Sequence, residues 1–260
     1  MGRKLKMMTS NLITISIVSH QHGQMVMELL SDLERFCADQ ITVILTINKH
    51  EDTQFHWEKF PFPIKVIANI TPKGFAENHN AAFQFCNTEL FCVMNPDVRL
   101  MGNPFPQLLS TISQQDVGVV APLIVNEMGL VEDSARKFPT PIRLLKRYLI
   151  KKKRIDYPVK NELIYPDWVA GMFMLFRNEV FKKLNGFDEA YFLYCEDVDL
   201  CARLRALHYK IILNPQVSVM HRAQRASHKK YQFLKWHVTS LLRFLVRFYG
   251  WGYKYKQENL

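Results

Sequence analysis

Residues 186–205 read GFDEAYFLYCEDVDLCARLR, and this stretch decides how the rest of the chain is interpreted. It begins with a glycine, continues with aromatic residues and a cluster of carboxylates, and ends with the leucine spacing of a helix. The carboxylates of the cluster are Glu196, Asp197 and Asp199. Carboxylates beside aromatic side chains are partly desolvated, which raises their pKa and suits one of them to act as a base near neutral pH. The alternative is that Glu196 and Asp197 only stabilise the N-terminus of the helix that follows.

The composition indicates a globular chain with a strong positive charge. Its 260 residues, 48% hydrophobic and 22% charged, fit one large domain, alone or with a small appendage. A net charge of +10 predicts an acidic partner, which would be nucleic acid, anionic lipid or a phosphorylated substrate. The five cysteines are scattered and contain no CxxC pair, which argues against a disulfide framework or a zinc knuckle and favours a reducing compartment.

Neither a signal peptide nor a membrane span is expected. The apolar run after the basic N-terminus is broken by Thr14 and Ser16 and has the character of a buried strand. No stretch of about 18 uninterrupted apolar residues is present.

Strand, polar loop and helix alternate along the first half of the chain with the spacing of an α/β sheet. The predicted strands are residues 12–19, 41–47, 64–68 and 90–94. Later in the chain, residues 168–176 have strand character, with Gly171 letting another group approach the backbone closely, and residues 210–213 and 217–220 are predicted as two short strands. Sheets of this class bind ligands at the carboxyl ends of their strands. The polar residues at those ends are Ser19, Asn48, Asn69 and Asp97. These side chains either line a nucleotide pocket together or are ordinary helix caps and turn formers.

Asn95-Pro96-Asp97 directly follows a hydrophobic strand, so the sequence predicts a carboxylate held rigidly at the edge of the sheet. One carboxylate is a weak site for a hard divalent cation unless substrate phosphates complete the coordination shell. His221 lies at the end of a later predicted strand and either adds an imidazole ligand or has a structural role.

Two segments carry positive charge beside apolar side chains. Residues 136–154 hold nine basic residues and no acidic one, and residues 229–251 form a helical pattern with a narrow polar stripe. The stripe is Lys235, Thr239, Arg243 and Arg247, and the remaining faces include Trp236, Phe244, Leu245 and Phe248. Both segments are typical of helices at an anionic membrane surface. The alternatives are a solvated loop for the first segment and, for the second, a helix packed on the domain or on a partner subunit in a homodimer.

Taken in order, the motifs resemble family 2 glycosyltransferases of the GT-A fold, particularly the bacterial rhamnosyltransferase branch. They are ISIVSH, NITPKGFAENHN, MNPDV, residues 167–204 and VMH, within a resemblance that covers roughly residues 13–227. The fold implied is α/β, a Rossmann-like mixed central sheet flanked by helices over residues 11–225. Residues 226–260 are expected to form a C-terminal amphipathic segment that associates with the membrane.

The resemblance also implies roles for individual residues. The donor, a nucleotide-diphosphate sugar, would be bound by Ser19, His20, Asn48, Gly74, Phe75, Asn80, Asn95 and Asp97. Asp97 would hold Mg²⁺ or Mn²⁺ together with the diphosphate oxygens, and His221 would be a further metal ligand. Asp197 matches the general base, with Glu196 as the next candidate. Trp168, Gly171 and Glu196 would shape the acceptor site.

Two departures from the family pattern are visible. The family's DxD motif appears here as Asn95-Pro96-Asp97, which lacks the first carboxylate, as is usual in the rhamnosyltransferase-like branch. The second strand ends in Ile47-Asn48, where many members have an Asp-Asn pair.

The implied activity is inverting, metal-dependent transfer of L-rhamnose from dTDP-β-L-rhamnose to a polyprenyl-pyrophosphate-linked saccharide of O-antigen, capsule or cell-wall synthesis. The expected location is cytoplasmic, at the inner face of the bacterial plasma membrane. The alternatives are another donor sugar, namely galactofuranose, glucose or an N-acetylhexosamine, or a metal-dependent phosphohydrolase that uses Asp97, Asp197 and His221. No signature of a nucleic-acid-binding module accompanies the positive charge, so no specific nucleic-acid partner is expected.

Overall fold

A mixed sheet of eight strands lies at the centre of the fold. The structure, a computed structural model, describes residues 12–51, 56–149, 155–222 and 230–249. In chain order, its strands and α-helices are β1 (Ile13–His20), α1 (Gly23–Cys37), β2 (Ile41–Lys49), β3 (Ile64–Ala68), α2 (Phe75–Phe83), β4 (Leu90–Met94), β5 (Val98–Leu100), α3 (Phe105–Ile112), β6 (Val117–Val125), β7 (Ala135–Arg136), α4 (Pro141–Leu149), β8 (Trp168–Val169), β9 (Phe173–Arg177), α5 (Asn178–Lys183), α6 (Glu196–Ala206), β10 (Lys210–His221) and α7 (Lys230–Tyr249).

The strand order, β3-β2-β1-β4-β9-β6-β10-β5, explains where the polar strand ends meet. Neighbouring strands are parallel except that β9 runs antiparallel to β4 and β6, and β5 runs antiparallel to β10. The carboxyl ends of β1, β2, β3, β4, β6 and β10 therefore lie at one edge, together with the beginning of β9. This is the edge at which open α/β sheets bind ligands. The prediction of an α/β fold with a mixed central sheet flanked by helices is confirmed.

Apolar side chains on the two faces of the sheet form two separate clusters. In β4, Cys92 and Met94 belong to one cluster, whereas Phe91 and Val93 belong to the other. This is the alternation of side chains that a strand produces. Helices α1 and α3 cover the first face, and α2, α5 and α6 cover the second. Because both faces are buried, the central strands have nearly continuous apolar sequences.

Two predicted strand patterns are wrong. Residues 168–176 form not one strand but β8 and β9, which belong to different sheets. The turn between them contains Gly171, where a Cβ atom would lie 3.1 Å from Phe75 Cζ, so glycine lets the backbone approach that ring closely. The two short strands predicted at residues 210–213 and 217–220 are the single strand β10, whose register with β6 shifts between Asn214 and Ser218.

The last helix, α7, packs on the domain along one of its faces. Phe244 is 1% exposed and joins a small apolar cluster with Tyr191, Cys195 and Val198. The prediction that Phe244 faces a membrane is therefore wrong, because its side chain is buried inside the protein. On this face of α7 the alternative interpretation, a helix packed on the domain, is correct. Within the described residues, no helix is long and apolar enough to cross a bilayer.

Candidate active site

Ser19 lies at the end of β1, at the ligand-binding edge of the sheet, and is fully buried. Its hydroxyl donates to Glu51 Oε1 at 2.8 Å and accepts from the His22 N–H at 3.1 Å. Glu51 Oε2 also accepts from the Gly23 N–H at 3.1 Å, at the beginning of α1. Glu51 was not predicted as a site residue, although an acidic residue just beyond β2 is a signal that marks such a position. Ser19 and Glu51 together fix the loop between β1 and α1.

Asn48, at the end of β2, is almost fully buried and uses its amide within the protein. Its Oδ1 accepts from the Lys73 N–H at 2.7 Å and from Asn69 Nδ2 at 2.9 Å. Its Nδ2 donates to the Lys73 carbonyl at 2.9 Å and to His20 Nδ1 at 3.1 Å. Asn48 therefore shapes the wall of the site by holding the loop before α2 and the exposed His20 ring. Direct contact of Asn48 and His20 with a donor stays a prediction.

The beginning of α2 contacts the loop that precedes the carboxylate cluster. The Phe75 N–H donates to the Phe192 carbonyl at 2.9 Å, and a Cβ on Gly74 would lie only 2.6 Å from the same oxygen. Glycine is needed at residue 74 because any side chain would push this loop away. The loop of residues 187–195, called the catalytic loop below because it precedes the candidate base, is thus in direct contact with a segment for which the family resemblance predicts donor binding.

Asn80 serves the same loop. Its Oδ1 accepts from the Phe187 N–H at 2.9 Å, and its Nδ2 donates to the Phe187 carbonyl and to Glu189 Oε1, both at 2.9 Å. Gly186 has φ +66°, and a Cβ there would lie 2.2 Å from Asn80 Oδ1. The structure therefore gives Asn80 the task of anchoring the loop, and its amide is occupied by that task.

Asp97 and His221 meet at the edge of the sheet. His221 Nε2 lies 3.2 Å from Asp97 Oδ2, and His221 Nδ1 lies 2.8 Å from Glu132 Oε2. Burial alone would lower the pKa of His221, but hydrogen bonds and charge from Asp97 and Glu132 raise it to about 9. Glu132 was missed by the sequence analysis, because no motif marks this residue in the loop after β6.

The Asp97–His221 pair fits a divalent cation only as part of a shell. Asp97 Oδ1 is buried without a hydrogen-bond partner, which leaves one carboxylate oxygen available to a cation. Glu132 would orient the imidazole as a second-shell carboxylate does. No group of three or more His, Cys, Asp or Glu residues within the described chain is arranged to hold a metal by itself. Asn95, two residues before Asp97, binds the Met172 carbonyl through its N–H at 2.9 Å.

Asp197 is held at the first turn of α6 with both oxygens engaged. Its Oδ2 accepts from the Gly171 N–H at 3.0 Å, and its Oδ1 accepts from the Val198 N–H at 2.8 Å. Burial raises the pKa of Asp197, while these N–H donors and the positive charge of Arg136 oppose that rise. The result is an oriented carboxylate with an elevated pKa, the property required of a general base.

Glu196 differs from its neighbour. It is 5% exposed, and its Oε2 is buried without a hydrogen-bond partner. Burial, followed by the nearby charge of Asp197, holds the pKa of Glu196 well above its usual range. Glu196 therefore favours the protonated form, which makes Asp197 the better base of the pair.

The backbone that leads into this pair is strained. Tyr194 and Cys195 have φ of +71° and +65°, in the left-handed region that residues other than glycine rarely adopt. Such residues cost on the order of 1–3 kcal/mol each and persist when the surrounding packing enforces them. Packing against neighbouring residues is therefore needed to keep the catalytic loop in this conformation. The loop in turn positions Glu196 and Asp197, which lie at the start of α6.

Arg136, whose positive charge acts on Asp197, lies beside the Trp168 indole, a residue that the family resemblance assigns to the acceptor site. Trp168 Nε1 donates to the Lys137 carbonyl at 3.1 Å, and the Arg136 guanidinium lies 5.6 Å from the centre of the Trp168 ring. Arg136 also pairs with Asp133 at 3.0 Å. In the sequence, Arg136 belongs only to the basic segment of residues 136–154, and its proximity to Asp197 was not predicted.

Comparison with known proteins identifies the class to which this site belongs. Residues 11–236 match the family described as Glycosyltransferase like family 2. The chain therefore belongs to this glycosyltransferase family.

Two relatives have rhamnosyltransferase names. The chain is 25% identical to Rhamnosyltransferase WbbL of Escherichia coli K12 over 256 residues, which covers 91% of this chain and 93% of the relative. It is 31% identical to the N-acetylglucosaminyl-diphospho-decaprenol L-rhamnosyltransferase of Mycobacterium tuberculosis over 171 residues, which covers 61% of this chain and 56% of that protein.

Solved structures show the same architecture. GalNAc-T7, crystallised with UDP, GalNAc and Mn²⁺, has a TM-score of 0.69 at 15% identity, covering 90% of this chain and 47% of its own. The mannosyltransferase PcManGT from Pyrobaculum calidifontis, in complex with GDP-Man and Mn²⁺, has a TM-score of 0.64 at 13% identity, covering 90% and 64%. At these identities the likeness concerns the fold alone, and that fold is GT-A.

Proposed function

We propose that this glycosyltransferase transfers a sugar, with inversion, from a nucleotide-diphosphate donor to a hydroxyl of a lipid-linked saccharide. More specifically, we propose that the donor is dTDP-β-L-rhamnose and that the product is an α-L-rhamnoside. The proposed acceptor is a polyprenyl-pyrophosphate-linked saccharide of bacterial surface polysaccharide synthesis. The names of the two relatives support rhamnose as the sugar, and the mycobacterial name supports a polyprenyl-diphosphate acceptor.

The observation that carries the proposal is the link between Asp197 and the edge that holds Asp97. Asp197 accepts a hydrogen bond from the Gly171 N–H, and the next residue, Met172, accepts one from the Asn95 N–H. Asn95 and Asp97 belong to the same short turn after β4. The backbone of residues 171 and 172 therefore connects the Asp197 carboxylate to the turn that carries Asp97 through two hydrogen bonds, at the ligand-binding edge of the sheet.

In the proposed mechanism, Asp197 takes the proton from the acceptor hydroxyl as that oxygen attacks the anomeric carbon from the face opposite the diphosphate. Gly171 and Val198 orient the carboxylate through their N–H groups. A divalent cation, Mg²⁺ or Mn²⁺, would be held by Asp97 and His221 and would neutralise charge on the leaving diphosphate. On the donor side, Ser19 and the loop held by Asn48 would form the wall against the nucleoside.

The proposed location is cytoplasmic, peripheral to the inner face of the bacterial plasma membrane. Cationic and apolar side chains of α4 and α7 support contact with an anionic surface. The alternative is that the same side chains are buried in the interface of a homodimer. The division into a domain over residues 11–225 and a segment over residues 226–260 stays a prediction, because residues 223–229 lie outside the described chain.

A thermal-shift screen of nucleotide sugars, with and without Mn²⁺, tests the donor. We expect dTDP-rhamnose to raise the melting temperature more than UDP- or GDP-sugars do, and Mn²⁺ to increase that shift. A UDP-sugar as the best ligand would support another family 2 transferase. Release of free sugar that is faster without an acceptor than transfer with one would support the phosphohydrolase instead.

A further inference from the structure

Helix α7 has two faces with different roles. One face contacts the catalytic loop, and the other carries exposed apolar side chains. The exposed residues are Tyr231, Leu234, Val238, Leu242, Val246 and Tyr249. They recur at intervals of three or four residues, so they lie on one side of the helix. We call them the outer face of α7.

Polar contacts on the inner side hold both ends of the catalytic loop. The Ser240 hydroxyl donates to the Leu193 carbonyl at 2.9 Å. Arg247 pairs with Asp188 and, at 3.1 Å, with Asp199 Oδ1. Asp199 is fully buried within the first turn of α6, two residues after the base. Arg247 therefore ties the start of the loop to the turn that carries Asp197.

Aromatic contacts complete the inner face. The Trp236 ring lies 4.8 Å from that of Phe192, the residue whose carbonyl contacts the beginning of α2. The His237 ring lies 5.2 Å from that of Tyr194, one of the two residues with left-handed backbone. The helix thus packs directly on the strained part of the loop and supplies support that this conformation requires.

The outer face matches an anionic lipid surface. Val246 is 71% exposed, and the exposed cation Lys235 follows Leu234, one of the apolar residues of this face. Helix α4 adds the exposed Ile142 and Leu145. An apolar stripe with cations along its edge binds an anionic bilayer through both buried area and charge.

The two helices are neighbours, because the ring of Phe138, three residues before α4, lies 6.1 Å from the ring of Phe244 in α7. Burial raises the pKa of Tyr249, and the nearby charge of Arg143 in α4 opposes that rise. Helix α7 contains no acidic residue, so a two-fold contact between copies of this chain would give Lys235 no carboxylate of the partner helix to pair with. Repulsion in a chain of net charge +10 disfavours that arrangement, so lipid is the better occupant.

We propose that α7 couples docking on an anionic membrane to the shape of the catalytic loop, with Arg247 as a positioning residue. The proposal rests on the proposed function, because it concerns turnover at Asp197. Docking of the outer face restrains α7, and the inner face then holds the loop in the conformation that aims the base. Enzyme bound to lipid turns over faster than enzyme in solution.

Two readouts test the coupling with full-length protein. The first is hydrogen exchange of residues 188–199, which needs no substrate. The second is hydrolysis of dTDP-rhamnose to dTDP and free rhamnose, in which water takes the place of the lipid-linked acceptor. We expect vesicles of phosphatidylglycerol and phosphatidylcholine to slow exchange and to raise dTDP release roughly three- to tenfold, the gain when a partly populated competent state becomes dominant. Anionic vesicles repel the anionic donor, so a higher local donor concentration cannot produce this rise.

Variants separate docking from coupling. Leu242→Glu combined with Val246→Glu should abolish vesicle binding and the response to vesicles. Gln114→Glu combined with Gln115→Glu, which makes the same charge change beyond α3 on the other side of the sheet, should leave the response intact. Arg247→Met should still bind vesicles, but the loop should exchange fast and kcat should fall while KM for the donor is kept. Arg247→Lys should restore part of the loss.

The outcomes distinguish this inference from the proposed function. If vesicles slow the exchange of residues 188–199 but dTDP-rhamnose is not turned over, the coupling is supported and the proposed donor is refuted. Vesicle binding with unchanged exchange and unchanged release overturns the coupling. Absence of vesicle binding, with a dimer in solution that dissociates in the Leu242→Glu and Val246→Glu variant, assigns the outer face to a second copy and overturns the proposal.

Discussion

Replacing Asp197 with asparagine removes the proposed base and keeps its size. Both carboxylate oxygens accept hydrogen bonds, one from the Gly171 N–H and one from the Val198 N–H. An asparagine amide has only one oxygen, so in either orientation its NH₂ group must face one of these donors. Leaving a buried donor unpaired costs about 1–3 kcal/mol, so a measurable loss of stability accompanies the chemical effect.

The chemical effect is the larger of the two. General-base catalysis contributes roughly 10²–10⁴-fold, and we expect kcat of Asp197→Asn to fall by about that factor. The assay is steady-state transfer to the acceptor, together with donor binding measured by calorimetry. Donor affinity should be kept within about threefold, because the lost interaction is made in the transition state. Urea unfolding of the same variant measures the cost of the unpaired donor separately.

The pH dependence provides the control for this prediction. Because burial raises the pKa of Asp197, wild-type kcat/KM should rise with pH through that elevated pKa and then level off, as the base loses its proton. The residual activity of Asp197→Asn should lack this acidic limb. Near-normal turnover in the variant, or an unchanged acidic limb, would refute the assignment and leave Glu196 as the next candidate.

Three further predictions test other parts of the site. His221→Ala should weaken Mn²⁺-dependent donor binding in a thermal-shift assay and leave metal-free binding unchanged; loss of both would indicate a structural role. Gly171→Ala places a methyl group 3.1 Å from Phe75 Cζ and should cost about 1–3 kcal/mol in urea unfolding as well as lowering kcat. Glu196 has a raised pKa in the folded state, so the unfolded chain releases its proton first and stability falls as pH rises above the usual carboxyl range. The free energy of unfolding, measured with urea from mildly acidic to mildly alkaline pH, should therefore fall less in Glu196→Gln than in the wild type. An equal fall in both proteins would contradict the raised pKa.

The fold was largely predictable because its signals are local. Strands β3 and β4 have the bounds that the sequence predicts, since turn-forming residues enclose short apolar runs. The sequence also predicted close approach to the backbone at Gly171, because an isolated glycine within a strand pattern has few other uses. The division of residues 168–176 into two strands was not predictable, since it depends on the Phe75 ring and the Asp197 carboxylate reaching that turn.

The parts of the site that the sequence missed depend on long-range contacts. Glu132 contacts His221 across 89 residues of chain, and Arg247 contacts Asp188 across 59. Nothing near either residue indicates its partner. Helix α7 presented a second difficulty, because apolar residues occur on both of its sides and periodicity alone cannot decide which side the domain covers. Burial of Phe244 settles that question and leaves the outer face for another partner.

The proposed reaction is inverting sugar transfer by Asp197 at the edge that holds Asp97 and His221. The most direct test is the anomeric configuration of the product formed from dTDP-β-L-rhamnose and a polyprenyl-pyrophosphate-linked saccharide, measured by NMR on the released glycan. A single displacement with Asp197 as the base predicts an α-L-rhamnosyl linkage that is absent from reactions of Asp197→Asn. A β-linked product, or free rhamnose at the same rate with and without acceptor, would contradict the claim.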